Sequence, residues 1–244
     1  MKPFKGCKIG KRHLGTKICT ETEKPGIVPA MKFDAIFFDN DGILVETDDL
    51  FFQACKTLLK DLVGYELSRE RYSDHILMRG EGFLEILSHY GYTEDHEDEL
   101  RKKRTDIYLD LLRKGVSPIP EVESTLQKLH KKLPLGVVTA AQQAEFEIIH
   151  SQLGLLPYFD FIVHRDDVVH SKPHPEGYLL AAERAKVSPE NCLVIEDSPR
   201  GIAAAQAAGM TCWCIPTEQT KQMDISAADQ ILDSISELPT RLKL

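Results

Sequence analysis

Four short stretches of the chain place acids, hydroxyls and a lysine in a pattern suited to handling phosphate. Asp39-Asn40-Asp41-Gly42 offers two carboxylates, Thr139-Ala140 a hydroxyl beside a backbone amide, Lys172-Pro173 a cation in a stiff loop, and Glu196-Asp197-Ser198 a further pair of acids. Two carboxylates in different surroundings can divide the work of nucleophile and proton donor, and a second acidic pair can help hold an oxygen-seeking cation such as magnesium. Each stretch taken singly also has a plainer reading. The first fits an Asx turn, Thr139 a helix N-cap for segment 141–153, Lys172 a solvated surface charge, and Glu196 with Asp197 the caps of a helix opening near Pro199.

Position in the chain joins the four. Apolar runs occur at FDAIFF (33–38), LGVVT (135–139), FDFIV (159–163), CLVIE (192–196) and TCWCI (211–215), with helically spaced segments between them. Short apolar runs that end in turn residues read as buried strands, and strands alternating with helices predict an α/β fold: a parallel-sheet, Rossmann-like core with helices on both faces. Ligands of such sheets bind beyond the carboxyl ends of the strands. All four stretches fall there, Lys172 in the loop after the third run.

The alternation breaks between Thr47 and Gly115. Leu50, Phe51, Ala54, Leu58 and Leu62 make one helical face, and Leu100, Ile107, Tyr108, Leu111 and Leu112 another. An all-helical cap over residues 50–114 is therefore expected, inserted into a catalytic core formed by 31–49 and 115–244, with Pro118 and Pro120 marking the return. Arg79-Gly80-Glu81-Gly82 interrupts the cap with two glycines and reads either as a helix-to-helix turn or as a loop that touches substrate. Residues 1–30 show neither period and read as an unstructured leader.

The net charge of -8 divides unevenly, +5 on residues 1–30 and -13 on the remainder. An acidic body argues against nucleic acid as partner, since phosphate backbones are bound by clustered Lys and Arg. No apolar run approaches the roughly 18 residues of a membrane span, and the first thirty residues lack the apolar middle of a secretory signal; a cytoplasmic protein with no membrane partner is expected. Six cysteines without a CxxC pair read as reduced thiols, with Cys212 and Cys214 on one buried face of a strand. His164, His170 and His174 sit around the lysine loop without a helical register to converge them on a metal, and read as incidental.

With FFDNDGILVET, VVTA, SKPHPEGY and IEDSPRGIAAAQAAGM in this order, the sequence resembles the haloacid dehalogenase superfamily, in the branch with a helical cap after the first strand, over residues 31–240. The resemblance implies that Asp39 attacks phosphorus to form an aspartyl-phosphate, while Asp41 protonates the leaving oxygen and then activates water. It implies Mg2+ held by Asp39, the backbone carbonyl of Asp41 and Asp197, with Glu196 bound directly or through water. Thr139, the amide of Ala140 and Lys172 would hold the phosphoryl oxygens, and Arg79 would meet the substrate from the cap. Ile43 and Glu46 stand where Thr and Asp are frequent in the family, which bears on cap closure and not on the catalytic carboxylates.

The expected activity is hydrolysis of a small phosphorylated metabolite, a sugar phosphate or similar, by a monomer or weak homodimer. A phosphomutase resembling beta-phosphoglucomutase is the first alternative; where that family gates chemistry with a cap histidine this sequence has Phe51, and His75 is out of register. A dehalogenase would need neither Asp41 nor the Glu196-Asp197 pair. A catalytically silent binding protein is the remaining alternative.

Overall fold

The computed structural model describes residues 33–73 and 83–244, so the leader (1–30) and the Arg79 loop lie outside the described residues. Six strands, β1 (Ala35–Phe38), β2 (Leu135–Val138), β3 (Phe161–Val163), β4 (Cys192–Glu196), β5 (Thr211–Cys214) and β6 (Gln230–Ile231), form one sheet. Its order is β3-β2-β1-β4-β5-β6, and every neighbouring pair is parallel. The first five lie within the expected runs. β6 has two residues, too few for any period to register in the sequence.

The helices are α1 (Asp48–Val63), α2 (Arg69–Arg71), α3 (Leu84–Ser88), α4 (Glu97–Lys114), α5 (Val122–Leu129), α6 (Gln143–His150), α7 (Glu176–Ala185), α8 (Pro199–Ala207) and α9 (Leu238–Arg241). Alternate strand residues face opposite ways, so the sheet feeds two cores. Ile36, Phe38, Val137, Ile195 and Trp213 pack with Leu126 of α5, Phe146 and Ile149 of α6 and Leu238 of α9. Phe37, Val194, Cys212 and Cys214 pack with Tyr178 and Ala181 of α7 and Ile202 and Ala205 of α8. Burial on both faces is why the strands read as unbroken apolar runs. The two cysteines share a face as expected, and both thiols are free.

Between β1 and β2 the described residues form helices and no strand of the sheet. Phe52, Cys55, Leu58 and Leu59 of α1 build a third cluster with Leu67, Tyr72, Leu87 of α3 and Leu100 of α4. Asp48 and Asp49 open α1, where the helix dipole favours negative charge, and Gly64 closes it in the left-handed region at φ 69°. Arg69 and Tyr72 then return to its start, each donating to Asp48 at 2.8 Å. The segments leaving and re-entering the sheet run antiparallel beside each other: Val45 bridges Pro118, and the Ile119 amide donates to the Leu44 carbonyl at 3.0 Å. Farther along α4, Tyr108 and Leu112 join the core of the sheet. No helix among the described residues is long and apolar enough to cross a membrane.

Candidate active site

Asp39 is the first residue past β1, and its amide donates to the Ile195 carbonyl of β4 at 2.9 Å. The chain then coils tightly: the Asn40 carbonyl accepts the amides of Leu44 at 2.8 Å and Val45 at 3.2 Å. This coil needs Gly42, whose φ of 81° lies in the left-handed region. A Cβ there would also stand 2.5 Å from Asp197 Oδ2, so the glycine lets the loop after β1 lie against the acid after β4.

Lys172 is the hub of the site. Its Nζ donates to Asp39 Oδ1 at 2.8 Å, to Glu196 Oε1 at 2.7 Å and to the Val138 carbonyl of β2 at 2.9 Å. With its side chain 11% exposed, the solvated-charge reading does not hold. Glu196 is wholly buried and fully engaged. Besides Lys172, Oε1 accepts from the Tyr178 hydroxyl at 2.6 Å, while Oε2 accepts from the Asp197 amide and the Ser198 hydroxyl, both at 3.2 Å. Ser198 caps α8 by accepting from the Gly201 amide, so neither Glu196 nor Asp197 serves as that cap.

The Asx-turn reading of the first pair also gives way. Asp39 is held by Lys172, and Asp41 accepts the Thr47 hydroxyl on Oδ1 and Asn40 Nδ2 on Oδ2, the latter at 3.3 Å. Thr139 follows β2, with its amide on the Val163 carbonyl at 2.9 Å, and its hydroxyl accepts the Ala141 amide at 3.0 Å. It is not the helix cap: α6 begins later, at Gln143 after Gln142. Ala140 beside it is exposed.

Asp39, Glu196 and Asp197 each bring one oxygen within 4.8 Å of the others, and Lys172 is the ammonium that touches two of them. Burial, and next the Glu196 charge, push Asp39 up to about 7 although Lys172 opposes this. Burial followed by Glu196 and Asp39 takes Asp197 well above the usual carboxylate range. Burial works to lower the pKa of Lys172, but Asp39 and Glu196 outweigh it and hold the ammonium above its ordinary value. Three buried acids around one ammonium are short of positive charge, and all-oxygen donors suit a hard divalent cation. The residues therefore fit magnesium. His164, His170 and His174 form no such cluster among the described residues.

Sequence reasoning missed Tyr178, Thr47, Asn40 and His150 as neighbours of this site. Tyr178 lies on α7 and His150 ends α6, each far in the chain from the residue it meets. Only tertiary packing brings them to Glu196 and Asn40.

Residues 36–215 match the model of the haloacid dehalogenase-like hydrolase family. Fructose-1-phosphate phosphatase YqaB of Escherichia coli is 30% identical over 182 residues, 73% of this chain and 94% of that protein. A phosphorylated carbohydrates phosphatase of Thermotoga maritima is 30% identical over 187 residues, 72% of this chain and 82% of its own length. Among solved structures, CbbY of Rhodobacter sphaeroides in complex with phosphate is 27% identical with a TM-score of 0.74, covering 87% of this chain and 100% of that one. A mutant of the same protein in complex with xylulose-(1,5)bisphosphate gives 26% and 0.74, with the same coverage.

Proposed function

The chain belongs to the haloacid dehalogenase-like hydrolase family, and on that footing we propose that it is a magnesium-dependent phosphatase of a small phosphorylated metabolite, working through an aspartyl-phosphate. The observation that carries this reading is the hub itself: one buried lysine ties the acid after β1 to the acid ending β4, with Asp197 beside them.

In this reading Lys172 holds Asp39 Oδ1, so Oδ2 is the oxygen presented to phosphorus. As the new O–P bond forms, the bond to the leaving oxygen breaks, and Asp41 delivers its proton to that oxygen. Asp41, now ionised, takes a proton from water; the water oxygen attacks phosphorus and the bond to Asp39 breaks, releasing phosphate. The hydroxyl of Thr139 and the Ala140 amide bind and orient the equatorial oxygens, and Lys172, whose three N–H groups are all engaged in the resting site, exchanges one of those bonds for a phosphoryl oxygen. Glu196 acts through others, fixing Lys172 and the Asp197 amide by its four hydrogen bonds. Asp39, Asp197 and the Asp41 carbonyl would hold magnesium, with Glu196 reaching it through water, and the bound cation would offset charge on the transferring group.

The relatives named for fructose 1-phosphate and phosphorylated carbohydrates, and the neighbour bound to a sugar bisphosphate, support a phosphorylated sugar as substrate. Residues 50–114, Arg79 among them, are assigned the choice of substrate as a cap over the core of 31–49 and 115–244. Against the phosphomutase alternative stands Phe51, which lies against Tyr108 with ring centroids 5.3 Å apart and beneath the Arg104 guanidinium at 4.7 Å, and has no proton to exchange. The test is a panel of sugar phosphates and bisphosphates with magnesium, read as phosphate release by the parent and by Asp39→Asn. Release that persists in Asp39→Asn would sink the nucleophile assignment, and a product phosphorylated at another position without phosphate release would favour the mutase.

A further inference from the structure

Asn40, between the two acids, is fully buried and has both ends of its amide engaged. Nδ2 donates to Asp41 Oδ2 at 3.3 Å, and Oδ1 faces Nε2 of His150 at 2.7 Å, 110 positions away in the chain. His150 is the last residue of α6, 2% exposed, with its ring stacked on Phe146 at 4.0 Å between centroids.

Chemistry decides which way round the amide lies. The NH2 donates to Asp41 Oδ2, so the carbonyl faces His150, and because a carbonyl only accepts, the imidazole must carry its proton on Nε2. The rest of the ring agrees. His150 Nδ1 is buried with no hydrogen-bond partner among the described residues, and burial, then nearby His164, hold the pKa down to about 4, which keeps the ring neutral.

A half-satisfied imidazole is a poor way to fill a core, because an apolar side chain would pack there without an unpaired nitrogen. What the ring adds is one donated proton, and it goes to Asn40. Thr47 holds the other oxygen of Asp41, so the carboxylate is gripped from two sides.

We propose that His150 and Asn40 are positioning residues for Asp41: the imidazole fixes the amide, and the amide fixes the angle of Oδ2, so that proton delivery and retrieval run along one line. This rests on the reading of Asp41 as the acid/base. Neither residue touches the phosphoryl group. Misplacing a reacting group by about 1 Å can cost on the order of a hundredfold in rate, so a small rotation of Asp41 would be felt.

The full chain with magnesium is assayed on fructose 1-phosphate, whose alkyl leaving group needs a proton, and on p-nitrophenyl phosphate, whose aryl leaving group needs it less. Rapid mixing separates the first step from turnover. His150→Leu should lower kcat on fructose 1-phosphate by about tenfold to a hundredfold with KM little changed, and lower the p-nitrophenol burst rate much less. His150→Gln, whose side-chain N–H can replace Nε2–H, should recover most of the loss. In an Asp41→Asn background, His150→Leu should cost no further rate, since the group it positions is gone.

Equal losses on both substrates, no loss, or a fully additive loss in the Asp41→Asn background would each overturn the proposal. If Asp41→Asn shows no leaving-group dependence, or the parent hydrolyses neither substrate, the acid/base reading falls and the role of the pair with it. If Asp41→Asn shows that dependence and His150→Leu does not, only the role of the pair falls. Should His150→Leu fail to melt cooperatively, His150→Phe, which keeps the stack on Phe146, takes its place.

Discussion

At the scale of single residues, Lys172 shows how burial changes the worth of a charge. A lysine in a loop is ordinarily solvated, but this one is enclosed by Asp39, Glu196 and the Val138 carbonyl. Removing one partner of a buried pair strands the other, at a cost of about 3–5 kcal/mol. Lys172→Met should therefore lower stability by that order in urea unfolding at pH 7, besides abolishing turnover; a midpoint within error of the parent would show that the acids relax into water. His150 makes the opposite kind of prediction. Its folded pKa of about 4 lies below the ordinary 6.5, so the unfolded chain takes up a proton first as pH falls. The contribution is present above pH 6.5 and is lost as pH falls through the window down to about 4. At about 1.4 kcal/mol per pKa unit, the parent should lose about 2–3 kcal/mol more between pH 7 and pH 4.5 than His150→Gln does, measured by urea unfolding at the two pH values. Parallel losses in the two proteins would refute it.

Among the secondary-structure elements, α8 shows how closely a helix can be fitted to the site. Pro199 occupies its first turn and Ser198 caps it, which brings Gly201 against the Glu196 carboxylate. A Cβ at Gly201 would stand 1.8 Å from the carboxylate carbon and 1.9 and 2.0 Å from its oxygens. A long side chain usually swings away from such a clash, but four hydrogen bonds pin Glu196. Alanine gains about 1 kcal/mol over glycine in a helix interior, whereas overpacking a well-filled site costs about 1–3 kcal/mol. The clash should win: Gly201→Ala is expected to lower the melting temperature and, by moving Glu196 and with it Lys172, to lower kcat several-fold or more. A variant more stable than the parent would mean that Glu196 moves freely.

For the molecule as a whole, the sheet order puts the ends of β2, β1 and β4 side by side, and the acids meet there. If a divalent cation relieves their repulsion, it binds the folded state alone and stabilises it by RT ln(1 + [L]/Kd), about 2.7 kcal/mol at a hundred times Kd. Magnesium should therefore raise the melting temperature of the parent in thermal denaturation, and a chelator should reverse the rise. Asp197→Asn should lose most of the shift while folding normally; an undiminished shift would move the cation elsewhere.

Legible in the residues alone are the α/β class, the five principal strands, the helical stretch between the first two of them, and the loop ends where Asp39, Asp41, Thr139, Lys172, Glu196 and Asp197 stand. These are legible because hydrophobic period and turn residues are local properties, and because a parallel sheet delivers every strand end to one edge. What each side chain touches follows from packing in three dimensions. Period cannot say that Lys172 is buried, that Tyr178 reaches Glu196, that Thr47 holds Asp41, or that His150 on α6 meets Asn40 after β1. A hydrogen bond between residues 110 positions apart leaves no trace in either local pattern, since it depends on how a helix settles across the sheet and on which polar atoms are shut away from water together.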